Sequence, residues 1–275
     1  VALRSLECVG AFILEEEVAT LPPSLQELRL NRCYLAADGD FRHLPALRVL
    51  HRVLFCSDYG EECSFKLPPS VEELKLVCRR FTPQDAPFAA LPRLRTLEIK
   101  GASLPPTALA SLPPSLARLC LTECNGFAGP LRPYHNLQAS DGPCTDVDKL
   151  DADAVFPHLP ALEHLNVSWT GIGNAAIASL PPSLRTLDVT GCANVTPAAR
   201  LDHLPHLTLL HCACAAFAPA ALAACRARGC AVPALAALQG GSTGDGLRYK
   251  ARHGSVGQSG GSSTRRHAGQ RVKYR

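Results

Sequence analysis

Leu21-Pro22-Pro23-Ser24-Leu25, followed by Leu28, Leu30, Cys33 and Leu35, decides the fold of this chain, because the phrase returns. A second copy reads Leu180-Pro181-Pro182-Ser183-Leu184, then Leu187, Val189, Cys192 and Val195. Indexed on the first leucine of each copy, the phrase begins at Leu3, Leu25, Leu47, Val71, Leu94, Leu116, Leu162, Leu184 and Leu207. Most steps are 22 to 24 residues. A period in this range marks a stack of identical units, each unable to bury its apolar face alone.

The spacing inside one unit gives its local structure. Leu28 and Leu30 are two apart, so both face one side of a strand, and residues 27, 29 and 31 face the other. Pro106-Thr107-Ala108-Leu109-Ala110-Ser111 is rich in helix formers and predicts a short helix on the opposite side of the coil. The Leu-Pro that follows ends it, since proline lacks a donor and clashes with a helical residue before it. Parallel strands from successive coils then line a concave sheet, with short helices on the convex side. The predicted fold class is an α/β solenoid arc of nine or ten coils over residues 1–238.

Two lead-in phrases alternate. Leu-Pro-Pro-Ser stands at Leu21, Leu67, Leu112 and Leu180, and Leu-Pro-x-Leu at Leu44, Leu91, Leu159 and Leu204. One step, Leu116 to Leu162, is 46 residues. Being two periods long, it favours a worn coil carried by Tyr134, Leu137, Ala139, Gly142 and Cys144. The competing reading is an inserted loop over 125–147, which would leave the alternation of phrases unbroken.

At these residues, over roughly 1–235, the chain resembles the leucine-rich-repeat superfamily. Cys33, Cys124 and Cys192 are similar to the cysteine-containing coils of F-box substrate receptors. The Leu-Pro-Pro-Ser-Leu phrase is similar to repeats of bacterial effector ligases and of protozoan leucine-rich-repeat proteins, the last being the best match. The resemblance implies a horseshoe that binds a partner on its concave face. No residue here matches the effector ligases' catalytic cysteine, and no F-box is visible from Val1.

Composition narrows the setting. The chain holds 13 cysteines and no methionine. Cysteine at a small, buried turn position acts as a small hydrophobe, which favours a reducing, intracellular and cytoplasmic compartment. The chain opens within a repeat, so an upstream segment is expected. No run of eighteen apolar residues exists. The formal net charge is +4, of which residues 240–275 carry +7. The boundary falls near Gln239-Gly240-Gly241. Residues 239–275, Gly/Ser-rich and containing Arg265-Arg266, are expected to be a disordered basic tail, either a solubilising end or one that binds RNA, directs nuclear import or touches anionic lipid.

The outward strand positions are the candidate partner-binding residues. They are Glu27, Arg29 and Asn31 in one coil, Glu73 and Lys75 in another, and Glu98 and Lys100 in a third. Arg118 with Thr122, His164 with Asn166 and Ser168, and Thr186 with Asp188 and Thr190 continue the face. Charge of both signs argues for a protein partner rather than a polyanion. Trp169, the single tryptophan, belongs at the rim, where it is either an interface anchor or a cover for the neighbouring turn.

Other clusters are weaker. His211, Cys212, Cys214, Cys225 and Cys230 are metal-capable types, but Cys212 and Cys214 lack the usual zinc spacing, so a cysteine-rich cap is expected. Asp146, Asp148, Asp151 and Asp153 lack the glycine and glutamate of a calcium loop, and are read as acids opening a convex helix. Cys56–Cys63, with Tyr59, is read as a divergent convex turn. His43, His158 and His203 recur with the repeat and form no catalytic set. No phosphate loop, zinc-protease helix or nucleophile elbow is present. The expected protein is a monomeric, non-enzymatic interaction scaffold without a cofactor. The alternatives are a substrate-recognition subunit of a ubiquitin ligase and a nucleic-acid binder acting through its tail.

Overall fold

The computed structural model describes residues 2–35, 39–53, 65–77, 88–102, 104, 106–122, 124, 159–233 and 271–274. The segments Cys56–Cys63 and 125–158, and with them the worn-coil residues, the four aspartates and His158, lie outside the described residues.

Nine strands, one per coil, run parallel in one sheet. They are β1 (Ser5–Val9), β2 (Glu27–Asn31), β3 (Val49–Val53), β4 (Glu73–Val77), β5 (Thr96–Lys100), β6 (Arg118–Thr122), β7 (His164–Asn166), β8 (Thr186–Asp188) and β9 (Leu209–His211). The register stacks each inward leucine on its equivalent in the next coil: Leu6, Leu28, Leu50, Leu74, Leu97, Leu119, Leu165, Leu187 and Leu210 form one column. All of these are buried. This is a leucine-rich-repeat solenoid with a concave parallel sheet.

The second core column, two residues on, runs through Cys8, Leu30, Leu76, Ile99, Leu121, Val167 and Val189. Arg52 occupies the leucine position of its coil in this column and is 6 % exposed.

The 46-residue step joins two strands that are neighbours in the sheet. β6 pairs directly with β7, Leu119 opposite Leu165 and Cys120 opposite Asn166. Glu163 and His164 donate their amides to Ala117 O at 2.9 and 3.0 Å, as the other coil junctions do. No strand stands between β6 and β7 in the sheet, so the strands on either side of the step are neighbours.

The two phrases make two kinds of coil. In the Leu-Pro-Pro-Ser kind the serine hydroxyl donates to the first-leucine carbonyl of the preceding coil: Ser24 to Leu3 O at 2.9 Å, Ser70 to Leu47 O at 2.7 Å, Ser115 to Leu94 O at 3.0 Å and Ser183 to Leu162 O at 2.8 Å. Each such bond contributes on the order of 1 kcal/mol and fastens coils in pairs. Short convex helices precede three of these phrases: α1 (Glu15–Ala19), α2 (Pro106–Ala110) and α3 (Asn174–Ala178). The other kind fills the convex side with one large apolar residue three places before its Leu-Pro. Phe41 and Phe88 are buried there, with Leu201 in the last case. Each accepts the amide of that leucine, at 3.0 Å from Leu44 and from Leu91 and at 3.2 Å from Leu204.

The turn cysteines do more than fill space. Cys33 Sγ donates to Cys8 O at 3.2 Å, Cys124 Sγ to Ile99 O at 3.3 Å and Cys192 Sγ to Val167 O at 3.1 Å. Each bond ties the turn to the strand of the coil before it. Desolvation, above all, raises the Cys33 and Cys192 thiols above their ordinary range. Cys214 is exposed. Alkylation of the native protein at neutral pH, read by peptide mass spectrometry, is therefore expected to label Cys214 early. Cys33 and Cys192 should react only on unfolding, because they are protonated and covered.

At the C-terminal end α4 (Pro219–Ala227) and the bridge of Ala231 to Leu209 close the stack. Arg228 donates back to Leu201 O at 3.1 Å. At the other end β10 (Arg271–Tyr274) pairs antiparallel with β1. Of the tail, the described residues Arg271–Tyr274 join the sheet; the rest of 239–275, and the expected disorder with it, lies outside the described residues.

Candidate partner-binding face

Two outward columns cross the concave sheet. The first is Ser5, Glu27, Val49, Glu73, Thr96, Arg118, His164, Thr186 and Leu209. The second is Glu7, Arg29, His51, Lys75, Glu98, Cys120, Asn166, Asp188 and His211. The strand period puts the predicted strand residues on this face, half-buried or exposed, with the exception of Ser168.

In the first five coils the charges answer one another. Asn31 Nδ2 donates to Glu7 Oε1 at 2.8 Å, and Arg29 lies 3.4 Å from Glu27. His51 Nε2 is 2.7 Å from Glu73 Oε1, and Lys75 Nζ is 2.9 Å from Glu98 Oε2. Partly exposed pairs of this kind are worth little energy, so a partner can replace them at small cost. They pair charged residues of the N-terminal half with one another. Arg118 and Lys100 stand exposed at its end.

From β7 onward the face changes. Strands shorten from five residues to three. Asn166 Oδ1 accepts the Ser168 amide and Asp188 Oδ1 the Thr190 amide, each at 2.9 Å. These side-chain turns end the strands early, so the two residues have a structural task as well as an outward position. Ser168, expected to face outward, is 5 % exposed, a correction that follows from this early turn. His164 Nδ1 lies 2.8 Å from Thr186 Oγ1. Desolvation first, and the Arg118 guanidinium second, push the His164 imidazole below its ordinary range, which keeps it neutral at neutral pH.

A dihedral rule runs beneath this rim. Seven residues after the first leucine, the chain turns through the left-handed region: Gly10 (φ 68°), Arg32 (57°), Gly101 (70°), Trp169 (59°), Gly191 (75°) and Cys214 (65°). Trp169 therefore takes a conformation that suits glycine and costs a bulky residue roughly 1–2 kcal/mol. Its ring lies against Gly191 of the next coil, where an added Cβ would fall 2.5 Å from Trp169 Cε3. The ring is nonetheless 58 % exposed, the highest among the exposed large hydrophobic residues described. Trp169 thus covers the neighbouring turn and presents a broad aromatic surface at the rim.

Among the described residues no three His, Cys, Asp or Glu groups converge to hold a metal ion, and His211, Cys212, Cys214, Cys225 and Cys230 belong to the last coil and its cap. His43 Nδ1 donates to Asp40 O and His203 Nε2 to Ile177 O, each at 3.1 Å and in separate coils. No described helix is long and apolar enough to cross a membrane.

Comparison with known proteins is spare. No protein-family model matches the chain, and no curated protein does. Among solved structures, an internalin from Listeria monocytogenes is similar with a TM-score of 0.48 and 14 % identity, over 78 % of this chain and 62 % of that one. A Toll-like receptor, TLR13, solved as a complex with ssRNA13, gives 0.42 and 17 % identity, over 73 % of this chain and 30 % of its own. The chain thus spans less than two thirds of either, and its solenoid fold is established by its own repeat and strand register.

Proposed function

We propose that the protein is a non-enzymatic interaction scaffold that holds a protein partner on its concave face. The observation that supports this reading is the asymmetry of that face. Its first half carries self-compensated charges. Its second half narrows, turns polar and small, and carries at the rim of its first coil an exposed tryptophan held in a strained backbone. Mixed charge sets register and excludes wrong partners, while a rim aromatic supplies affinity. Glu27, Arg29, Asn31, Glu73, Lys75 and Glu98 form the register-setting part. Lys100, Arg118, His164, Asn166, Asp188 and Trp169 form the part where contact is concentrated. The proposed setting is the cytoplasm, where the buried thiols stay reduced.

Affinity capture from a native lysate at low and high salt tests this, with the full chain beside an Arg265→Gln/Arg266→Gln variant and an Arg118→Glu variant. The expected result is one protein partner held by the first two and lost from the third. Capture of RNA that weakens steeply with salt and with loss of the two arginines would move the function to the tail. Cullin-type subunits among the captured proteins would favour substrate recognition in ubiquitination.

A further inference from the structure

Resting on the reading of the concave face as a partner surface, we infer that its centre takes an acidic segment of that partner. Arg95 and Arg118, on neighbouring coils, hold one or two side-chain carboxylates, and Trp169 across the sheet takes an apolar residue that follows them.

The charges of the face are unevenly matched. Each carboxylate of the two outward columns already has a partner: Glu7 with Asn31, Glu27 with Arg29, Glu73 with His51, Glu98 with Lys75, and Asp188 with the Thr190 amide. Along the rim before the strands, Arg48 lies 3.7 Å from Glu72 and Arg185 lies 3.5 Å from Glu163. Arg95 and Arg118 are exposed and make no ion pair among the described residues. Their backbones are adjacent, since the Arg118 amide donates to Arg95 O at 2.9 Å. Two neighbouring guanidiniums without a counter-charge form a natural seat for a carboxylate, which each can grip with two parallel hydrogen bonds.

The next strand brings an imidazole to the same place. Arg118 stands opposite His164 in the register. His164 Nδ1 is 2.8 Å from Thr186 Oγ1, and its Nε2 is 4.0 Å from Glu163 Oε2, which Arg185 also approaches. Desolvation holds this imidazole below its ordinary range, and Arg118 and Arg185 add to that against the pull of Glu163. A carboxylate bound at Arg118 offsets the guanidinium and favours the imidazolium, so binding takes up a proton. Affinity therefore rises as pH falls through the imidazole range, while a glutamate ligand, titrating near ~4.3, keeps its charge.

The surroundings favour a peptide over a nucleic acid. A nucleic-acid backbone carries a charge at every phosphate, whereas Glu73, Glu98 and Asp188 stand on nearby strands of this face. The attraction is confined to one spot, which suits a short acidic run. Reach follows from the strands. Trp169 lies five residues beyond His164 along the chain, at most about 17 Å when extended. Four or five residues of extended peptide cover that distance, so the apolar residue falls four or five places after the acidic one.

NMR titration of the full chain tests this, with the His164 ring signal identified by its loss in His164→Gln. The probes are the peptide Glu-Glu-Ser-Gly-Ser-Leu, its Gln-Gln-Ser-Gly-Ser-Leu counterpart and a hexauridylate RNA. The acidic peptide is expected to shift His164 and the indole Nε1–H of Trp169, the single tryptophan. It should raise the His164 pKa and bind more tightly at about pH 6 than at about pH 8. Arg95→Gln/Arg118→Gln should weaken it at least tenfold. Arg42→Gln/Arg200→Gln, which removes as much charge from exposed positions outside the concave sheet, should not. Equal binding of the glutamine peptide, equal behaviour of the two double variants, or a His164 or Trp169 signal that no peptide moves would overturn the proposal. So would tighter binding of the RNA than of the acidic peptide. Capture of a protein partner that is lost with Arg118→Glu, beside a failed titration, would leave the concave face as the partner surface and remove only the acidic segment.

Discussion

Leu119→Ala is expected to lower the free energy of unfolding by about 3–4 kcal/mol, as a fully enclosed leucine does when it leaves a cavity. The residue is 2 % exposed and sits between Leu97 and Leu165 in the leucine column. Its position gives the experiment a second use. Leu165 belongs to the coil that follows the 46-residue step, so the two leucines touch only if those coils are neighbours. The double variant Leu119→Ala/Leu165→Ala is therefore expected to deviate from additivity by at least ~0.5 kcal/mol, as contacting core pairs do. Chemical denaturation of the four proteins measures both quantities. Strict additivity would mean that the two leucines do not meet.

Trp169→Ala is expected to weaken binding of the captured protein partner about 30-fold, equivalent to ~2 kcal/mol, the scale of an interface hot spot. The stability of the solenoid should change far less. Trp169→Gly sharpens the contrast: it relieves the left-handed strain, worth ~1 kcal/mol, while forfeiting the ring's contact with Gly191. A protein that folds as well or better yet binds poorly would show that the strained aromatic is kept for the partner. If affinity is unchanged and stability falls, the ring is only a cover for the next coil. Gly191→Ala provides the control. Its added Cβ meets the indole in the native protein, so its cost should shrink to the dihedral strain alone, about 1 kcal/mol, once Trp169 is glycine.

The concave face reads well from sequence up to β6 and less well after it. Leucine spacing placed Glu27, Lys75, Glu98 and Arg118 outward, because a strand can turn alternate residues only one way. Ser168 escaped the same logic because Asn166 closes a side-chain turn that ends β7 two residues early. The pairing of Lys75 with Glu98 was also hidden, since it depends on register between coils 23 residues apart. The left-handed position was legible only where it is glycine. Arg32, Trp169 and Cys214 adopt it without any signature in residue type.

The sequence by itself determined the solenoid, its inward columns, its outward residues and the two kinds of coil. Those features follow from a period repeated many times, and each copy reinforces the others. Only the tertiary structure decided that β6 and β7 are neighbours, since a gap of two periods is the same length whether it holds a coil or a loop. It alone revealed the serine and cysteine hydrogen bonds to the preceding coil, because their acceptors are backbone carbonyls 21 to 25 residues away. It alone joined Arg271–Tyr274 to the first strand, a pairing between the two ends of the chain. Four residues without periodicity carry no local signal, and backbone hydrogen bonding across that separation is written in register rather than in composition.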